Sequence, residues 1–214
     1  MILKSFELNK INLKTQKFFL LYGENEGFKL QAIKKEFENK FLGETQTYEE
    51  KEILNNEKAF FDSINSKSFF EKEKLIIINR CTDKLKDTIE EIVEKKIIDI
   101  KIILNAGILE KKSKLRSFFE KSKEGVCIPF YADSAQTLSA IVNNFFREKK
   151  ISISQQTINL LVDRCRGDRQ NLNNELDKIS NTENGRELIG ILTHLTDSTQ
   201  NDEFYDKLWP ESDR

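Results

Sequence analysis

Apolar residues recur in two alternating rhythms as far as residue 132 and in a single one beyond it. Phe18-Phe19-Leu20-Leu21-Tyr22 runs unbroken into Gly23, the pattern of a buried strand that ends in a turn. Leu30, Ile33, Phe37 and Phe41 then recur at helical spacing, and Thr45 to Tyr48 reads as a short strand. Ile53, Phe60, Phe61 and Ile64 mark one face of a second helix. Leu75-Ile76-Ile77-Ile78 is the clearest strand. The helix after it carries Leu85, Ile89, Ile92 and Val93, with Thr82 or Asp83 as its cap. Ile100 to Leu104 is a strand, and Leu115, Phe118 and Phe119 lie on a short helix that Ser113 can cap. Val126 to Tyr131 is the last strand, and Pro129 assigns it to a sheet edge or a strand end.

Near-continuous apolar strands separated by helices are what a mostly parallel sheet covered on both faces requires. Residues 1–132 are therefore expected to form a doubly wound α/β domain. Leu138, Ile141, Val142 and Phe145 then repeat at i, i+3, i+4 and i+7, as do Ile158, Leu161, Val162 and Cys165 behind an N-cap at Ser154. Gly167 can close that helix in a left-handed conformation, Asp168 can cap the next, and Leu172, Leu176 and Ile179 form its stripe. Residues 133–181 are expected to be a separate three-helix unit. Residues 182–214 are expected to be an acidic tail with one further helix at most, disordered beyond it.

Charge sharpens this division. Net charge is −1 over 214 residues. The tail alone sums to −5, so the body before it is +4, which is compatible with a nucleic-acid partner without requiring one. Cys81, Cys127 and Cys165 lack any Cys-x-x-Cys spacing, which argues against a disulfide framework or a zinc site. Lys4 and Lys10 interrupt the N-terminal apolar residues, so no signal-peptide core forms, and no run approaches membrane-spanning length. A cytoplasmic chain with no membrane partner is expected.

Candidate chemistry begins at the first strand–turn–helix, where Gly23-Glu24-Asn25-Glu26-Gly27-Phe28-Lys29-Leu30 occupies the place of a phosphate loop. A working loop needs G-x-x-x-x-G-K-[ST], for backbone N–H groups, a cation and a Mg²⁺-binding hydroxyl. Here Phe28 separates Gly27 from Lys29, Leu30 replaces the hydroxyl, and Glu24 and Glu26 oppose a triphosphate. Gly23, Gly27 and Lys29 read as a degenerate loop that does not hold ATP. Ile78 runs into Asn79-Arg80 rather than paired acids, so the metal-binding partner motif is missing too. His194 is the single histidine and gets no role, and no nucleophile–base grouping stands out. No cofactor, no metal and no catalytic residue are expected. Lys111, Lys112, Lys114 and Arg116 are a candidate DNA-backbone contact, with a solvated helix start as the plainer reading. Ser68-Phe69-Phe70 follows a helix whose apolar face is already filled, and two adjacent Phe cannot both point inward from one stripe. An exposed aromatic here, rimmed by Lys67, Lys72 and Lys74, would have the composition of a protein-binding hot spot, with burial of both at the helix–strand junction as the plainer reading of these residues alone.

Four segments taken in order carry a resemblance: FFLLYGENEGFKLQAIKKEF, SKSFFEKEKLIIINR, KIILNAGILEKKSKLRSFFEK and RCRGDRQNLNNELDKIS. Together they resemble the delta subunit of the bacterial DNA polymerase III clamp loader over roughly residues 15 to 180. The resemblance implies an AAA+-like α/β domain without a working ATP site, followed by a small three-helix lid domain. It implies a non-catalytic subunit of a DNA-directed polymerase (nucleotidyltransferase) holoenzyme, acting in DNA replication by binding and opening the sliding clamp (beta). Ser68-Phe69-Phe70 occupies the place of the family's inserted hydrophobic pair, with Phe69 where the family has leucine. Other clamp-loader subunits are implied as partners, and primed DNA only indirectly through the complex. The family continues into a helical collar that the acidic tail does not resemble, so a C-terminally truncated delta is expected. Against this stand two alternatives: a divergent P-loop NTPase acting through Gly23 to Lys29, and a DNA-binding adaptor acting through Lys111, Lys112, Lys114 and Arg116.

Overall fold

The computed structural model describes residues 1–181 apart from 67–72, 96 and 98. The chain divides into two compact units, Met1–Ala132 and Asp133–Arg214. In the first, β1 (Phe18–Gly23), β2 (Glu44–Glu49), β3 (Lys74–Cys81), β4 (Ile100–Ala106) and β5 (Gly125–Phe130) form one sheet in the order β2-β3-β4-β1-β5. Every neighbouring pair is parallel. The helices are α1 (Glu26–Ala32), α2 (Glu50–Asn55), α3 (Glu57–Asn65), α4 (Lys86–Glu94) and α5 (Lys114–Lys121).

The sheet's two faces have separate cores. Phe18, Leu20, Ile76, Ile78, Ile102 and Leu104 pack with α2 to α5 through residues such as Ile53, Phe60, Ile89 and Phe119. Phe19, Leu21, Leu75, Ile77 and Ile103 pack with Ile33 and Phe37 after α1 and with Leu3 of the N-terminus. This alternation along each strand is the period of two that a pleated strand imposes. The chain leaves β1 toward β2 with its crossover on one face, then returns through β3 and β4 with crossovers on the other. Right-handed crossovers demand that exchange of faces when the direction of travel reverses. The expected doubly wound α/β fold is present.

Several local readings hold for the reason given. Ser113 accepts from the Arg116 N–H and caps α5, while Thr82 accepts from Lys84 and caps the 3-10 turn before α4. β5 is an edge strand, and Met1 to Leu3 run along its outer side, where the Cys127 N–H donates to the Met1 carbonyl. Pro129 has the same outward parity as Cys127, so its missing N–H removes no bond to β1.

Other readings need correction. The helix expected to carry Leu30, Ile33, Phe37 and Phe41 on one face is seven residues long and loosens into a π-type turn over Ile33–Phe37 and a 3-10 turn over Glu38–Lys40. Leu30 is exposed and Lys29 takes the inward position beside it. The single helix read through Ile53 and Phe60 is two, because Asn56 has a non-helical backbone (φ −149°, ψ 69°) and its side chain caps α3 at the Ala59 N–H. Lys74 is buried, not part of an exposed rim.

In the second unit, α6 (Ala135–Glu148), α7 (Gln155–Arg164) and α8 (Arg169–Asn181) share one core. Ser154 caps α7 at the Thr157 N–H, Gly167 has φ +79°, and Asp168 accepts from the Gln170 and Asn171 N–H groups. On α6 the deepest residues are Leu138, Val142 and Phe146; Ile141 and Phe145 are only partly buried, so the stripe runs i, i+4, i+8. Asp133 and Arg169 form a buried bidentate pair, with Nε donating to Oδ2 at 2.6 Å and Nη2 to Oδ1. The degenerate loop and the lysine cluster lie in the first unit and the Asp133–Arg169 pair in the second.

Candidate functional site

In a doubly wound sheet the ligand crevice lies beyond the carboxyl ends of adjacent strands whose crossovers take opposite faces. Here those strands are β1 and β4. The β1 turn is built by Gly23, whose φ of +128° suits glycine and whose N–H donates to the Gly107 carbonyl at 2.9 Å. A Cβ there would lie 2.1 Å from the Phe130 carbonyl oxygen. Asn25 then caps α1, accepting from the Phe28 N–H at 3.0 Å while its Nδ2 donates to the Tyr131 carbonyl. Gly27 is buried in the first turn.

Lys29, the cation a phosphate loop would aim at its ligand, is turned into the protein and has no exposed surface. Its Nζ donates to the Ala106 carbonyl at the end of β4 (2.5 Å) and pairs with Glu26 Oε2 at 2.6 Å. Asn105 Nδ2 donates to the other Glu26 oxygen at 2.9 Å and to Asn79 Oδ1 at 3.2 Å. Burial pushes the Glu26 carboxyl up, but the hydrogen bonds from Lys29 and Asn105 outweigh it and hold the group below the usual carboxylate value. The cation of the degenerate loop is thus committed to the chain's own ion pair and to a strand-end carbonyl. The i, i+3 spacing of Glu26 and Lys29 was a visible signal for this; the sequence reading counted Glu26 only as a charge opposing phosphate. At this corner opens a cleft of about 950 Å³ lined by Glu26, Asn105, Ala106, Arg80, Asp83 and Ser113 among others.

The lysine cluster separates into two kinds of residue. Lys111, Lys112 and Lys114 are exposed, with Lys112 2.9 Å from Glu110. Arg116 is instead held inside the unit, donating to Glu120 Oε1 (2.8 Å) and the Leu109 carbonyl (3.0 Å) with its guanidinium over the Tyr22 ring.

Ser68, Phe69 and Phe70, with Lys67 and Lys72, lie outside the described residues. Both ends of the connection that contains them are described. α3 ends at Asn65 with Ser66 as its C-cap, and Lys74 Nζ donates to the Ser63 carbonyl (2.8 Å), the Ser66 carbonyl (2.7 Å) and Ser66 Oγ (2.9 Å). A cation on the last carbonyls of a helix satisfies acceptors that have no intrahelical partner. On the other side, Glu73 pairs with Lys101 at 2.5 Å, and the Lys74 N–H donates to the Asp99 carbonyl at 2.9 Å. Ser66 and Glu73, which flank the connection, lie at the amino ends of the strands, opposite the crevice.

Among the described residues, no group of three or more His, Cys, Asp or Glu is placed to hold a metal ion. The three cysteines are free and buried. No protein-family model matches the sequence, and no curated protein matches it. Among solved structures, the Bacillus subtilis DNA clamp loader delta protein (YqeN) is similar with a TM-score of 0.57 at 14% identity, over 82% of this chain and 56% of that one. A RuvB variant from Thermotoga maritima gives 0.50 at 13% identity, over 82% of this chain and 59% of that one. The fold is AAA+-like. This chain spans little more than half the length of either of these structures.

Proposed function

We propose that this chain acts as a delta-type clamp-loader subunit, a non-catalytic module that binds the ring-shaped sliding clamp and opens it during DNA replication. The observation that carries the reading is the delta-like fold together with Ser68-Phe69-Phe70 on the α3–β3 connection, whose two ends are pinned by Lys74 and by the Glu73–Lys101 pair. An anchored base lets a short apolar segment transmit force to a partner instead of yielding to it. Phe69 and Phe70 insert into an apolar pocket on the clamp, each contributing ~1.5–3 kcal/mol on burial.

Insertion alone opens nothing. The ring equilibrium shifts only as far as the pair binds the open form better than the closed one, and carrying it from 1:99 to 99:1 takes a preference of about 10⁴-fold. Engagement of Lys29 by the Ala106 carbonyl and Glu26 supports a subunit that holds no ATP, with ATP acting through other loader subunits and primed DNA meeting it only through that complex. No helix among the described residues is long and apolar enough to cross a membrane. The reading places the chain in the cytoplasm.

Ring opening is tested by comparing a clamp whose subunit interfaces are covalently cross-linked with the free clamp. The chain is expected to bind the cross-linked ring more weakly, and equal affinity for the two would exclude an opening role. The exposed Lys111, Lys112 and Lys114 favour a second reading, an adaptor that contacts duplex DNA directly. Its signature is a steep loss of DNA affinity with salt that flattens when the three are changed to Glu.

A further inference from the structure

The cleft at the carboxyl ends of β3 and β4 takes no part in the function proposed above, and its wall carries two features that the fold does not use. Asn105 is 4% exposed, and its Nδ2 is committed to Glu26 and Asn79, which fixes the orientation of the amide. Its Oδ1 is left buried with no hydrogen-bond donor among the described residues. A buried acceptor without a donor is costly, so nearly all are paired. Arg80 is the second feature. It sits in β3 where the register shifts between Asn79 and Cys81, with a left-handed φ of +56°. Glycine is the usual occupant of such a bulge, because it adopts that φ without strain. Here the position carries an arginine whose side chain is 85% exposed, with Glu49 Oε2 3.4 Å from its Nε. Backbone strain kept beneath a side chain that the core does not use points to a use outside the core.

The rest of the lining narrows the ligand. Glu26, Asp83 and Glu110 stand against Arg80, Lys84 and Lys112, so the cleft is balanced in charge and does not suit a polyanion. The N-terminus of α5 is already taken by Asp83, which accepts from Ser113 Oγ (2.5 Å) and the Leu115 N–H (3.0 Å). An entering anion therefore meets the Arg80 fork, whose paired donors match a carboxylate. Ile108, 73% exposed, adds an apolar wall. Asn79 and Asn105 are register partners on strands ~4.8 Å apart, and Arg80 follows Asn79, so fork and acceptor are spaced for a single residue. We propose that this cleft binds the C-terminus of a peptide whose last residue is apolar. The terminal carboxylate lies on Arg80, the last peptide N–H donates to Asn105 Oδ1, and the side chain packs on Ile108.

The test is an NMR titration of the full chain with an acetylated tripeptide ending in leucine, beside the same peptide closed by a C-terminal amide. The free acid is expected to bind at least ~10-fold more tightly than the amide and to shift the Asn105 side-chain NH₂ signal. Arg80→Gly should weaken binding of the acid by ~10-fold or more without lowering the melting temperature, because glycine accepts the left-handed φ. Arg80→Lys keeps the charge, loses the fork and should fall between the two. Ile108→Ser should weaken binding by ~3-fold or more. Equal affinity for acid and amide, or shifts confined to residues away from the cleft, overturns the proposal. So does undiminished binding by Arg80→Gly, or no binding at millimolar peptide. Clamp binding enters none of these measurements, so the functional reading stands or falls separately.

Discussion

Lys29 is the residue at which the two accounts of the first strand–turn–helix diverge most sharply. In a phosphate-binding loop this lysine waits for a ligand, and its removal affects binding while leaving the fold intact. Here the Nζ is tied to the Ala106 carbonyl and Glu26, joining α1 to the end of β4. Lys29→Met keeps most of the buried stem and removes the charge. Two hydrogen bonds to a charged donor are lost, each worth about 1.5–3 kcal/mol. The variant no longer buries an ammonium, which offsets part of that loss, and the Glu26 side chain is 56% exposed, so it can turn toward water. The net expectation is a destabilisation of about 2–3 kcal/mol. With urea m-values of about 1–3 kcal/mol/M, the unfolding midpoint should fall by roughly 0.7–3 M. ATP with Mg²⁺ should leave the melting temperature of wild type and variant unchanged. A Lys29→Met protein as stable as the wild type refutes the structural role. ATP-dependent stabilisation of the wild type that disappears in the variant refutes it more severely, because Lys29 would then be a phosphate ligand.

Further predictions follow from the same contacts. Glu26 has a folded-state pKa below its ordinary 4.5, so its ionised form contributes stability that is present above that value and is lost as pH falls through the folded one; the stability gap between wild type and Glu26→Gln should therefore shrink in acid, and a gap that widens there contradicts the pairing. Gly23→Ala combines a left-handed φ with a Cβ 2.1 Å from the Phe130 carbonyl oxygen and should cost more than ~2 kcal/mol, read as loss of soluble, cooperatively melting protein. Removing one partner of a buried pair costs about 3–5 kcal/mol, so Arg169→Met should lower the unfolding midpoint of the second unit strongly, and an unchanged transition would show that Asp133 is satisfied without it. Burial raises the thiols of Cys127 and Cys165 to about 12 and about 11, and that of Cys81 well above its usual value. All three should resist alkylation at pH 8 in native protein and react once it is unfolded.

The sheet was legible because strands buried on both faces must be apolar at nearly every position, as Leu75 to Ile78 and Ile100 to Leu104 are. Caps were legible at Ser113, Thr82 and Ser154, where a short hydroxyl precedes an apolar stripe. Features that depend on buried polar groups were misread. Hydrophobic periodicity cannot register Lys29 on an inward face, so Leu30 was assigned to the core in its place. Lys74 looked like a charged rim residue because its acceptors, the Ser63 and Ser66 carbonyls, are backbone atoms invisible to side-chain patterning. Asn56 separated two helices through its own capping bond, a local choice that an unbroken apolar stripe conceals. The Phe69–Phe70 pair is a reading of the sequence alone, and both residues lie outside those described.

The most direct measurement is the affinity of this chain for its cognate sliding clamp beside that of a Phe69→Ala/Phe70→Ala variant, both confirmed folded by their melting transitions. Losing two buried aromatic contacts should weaken binding at least a hundredfold. Tight binding by the wild type that collapses in the variant is the predicted result. Equal affinity of the two, or no binding by a well-folded wild type, would contradict the clamp-opening account.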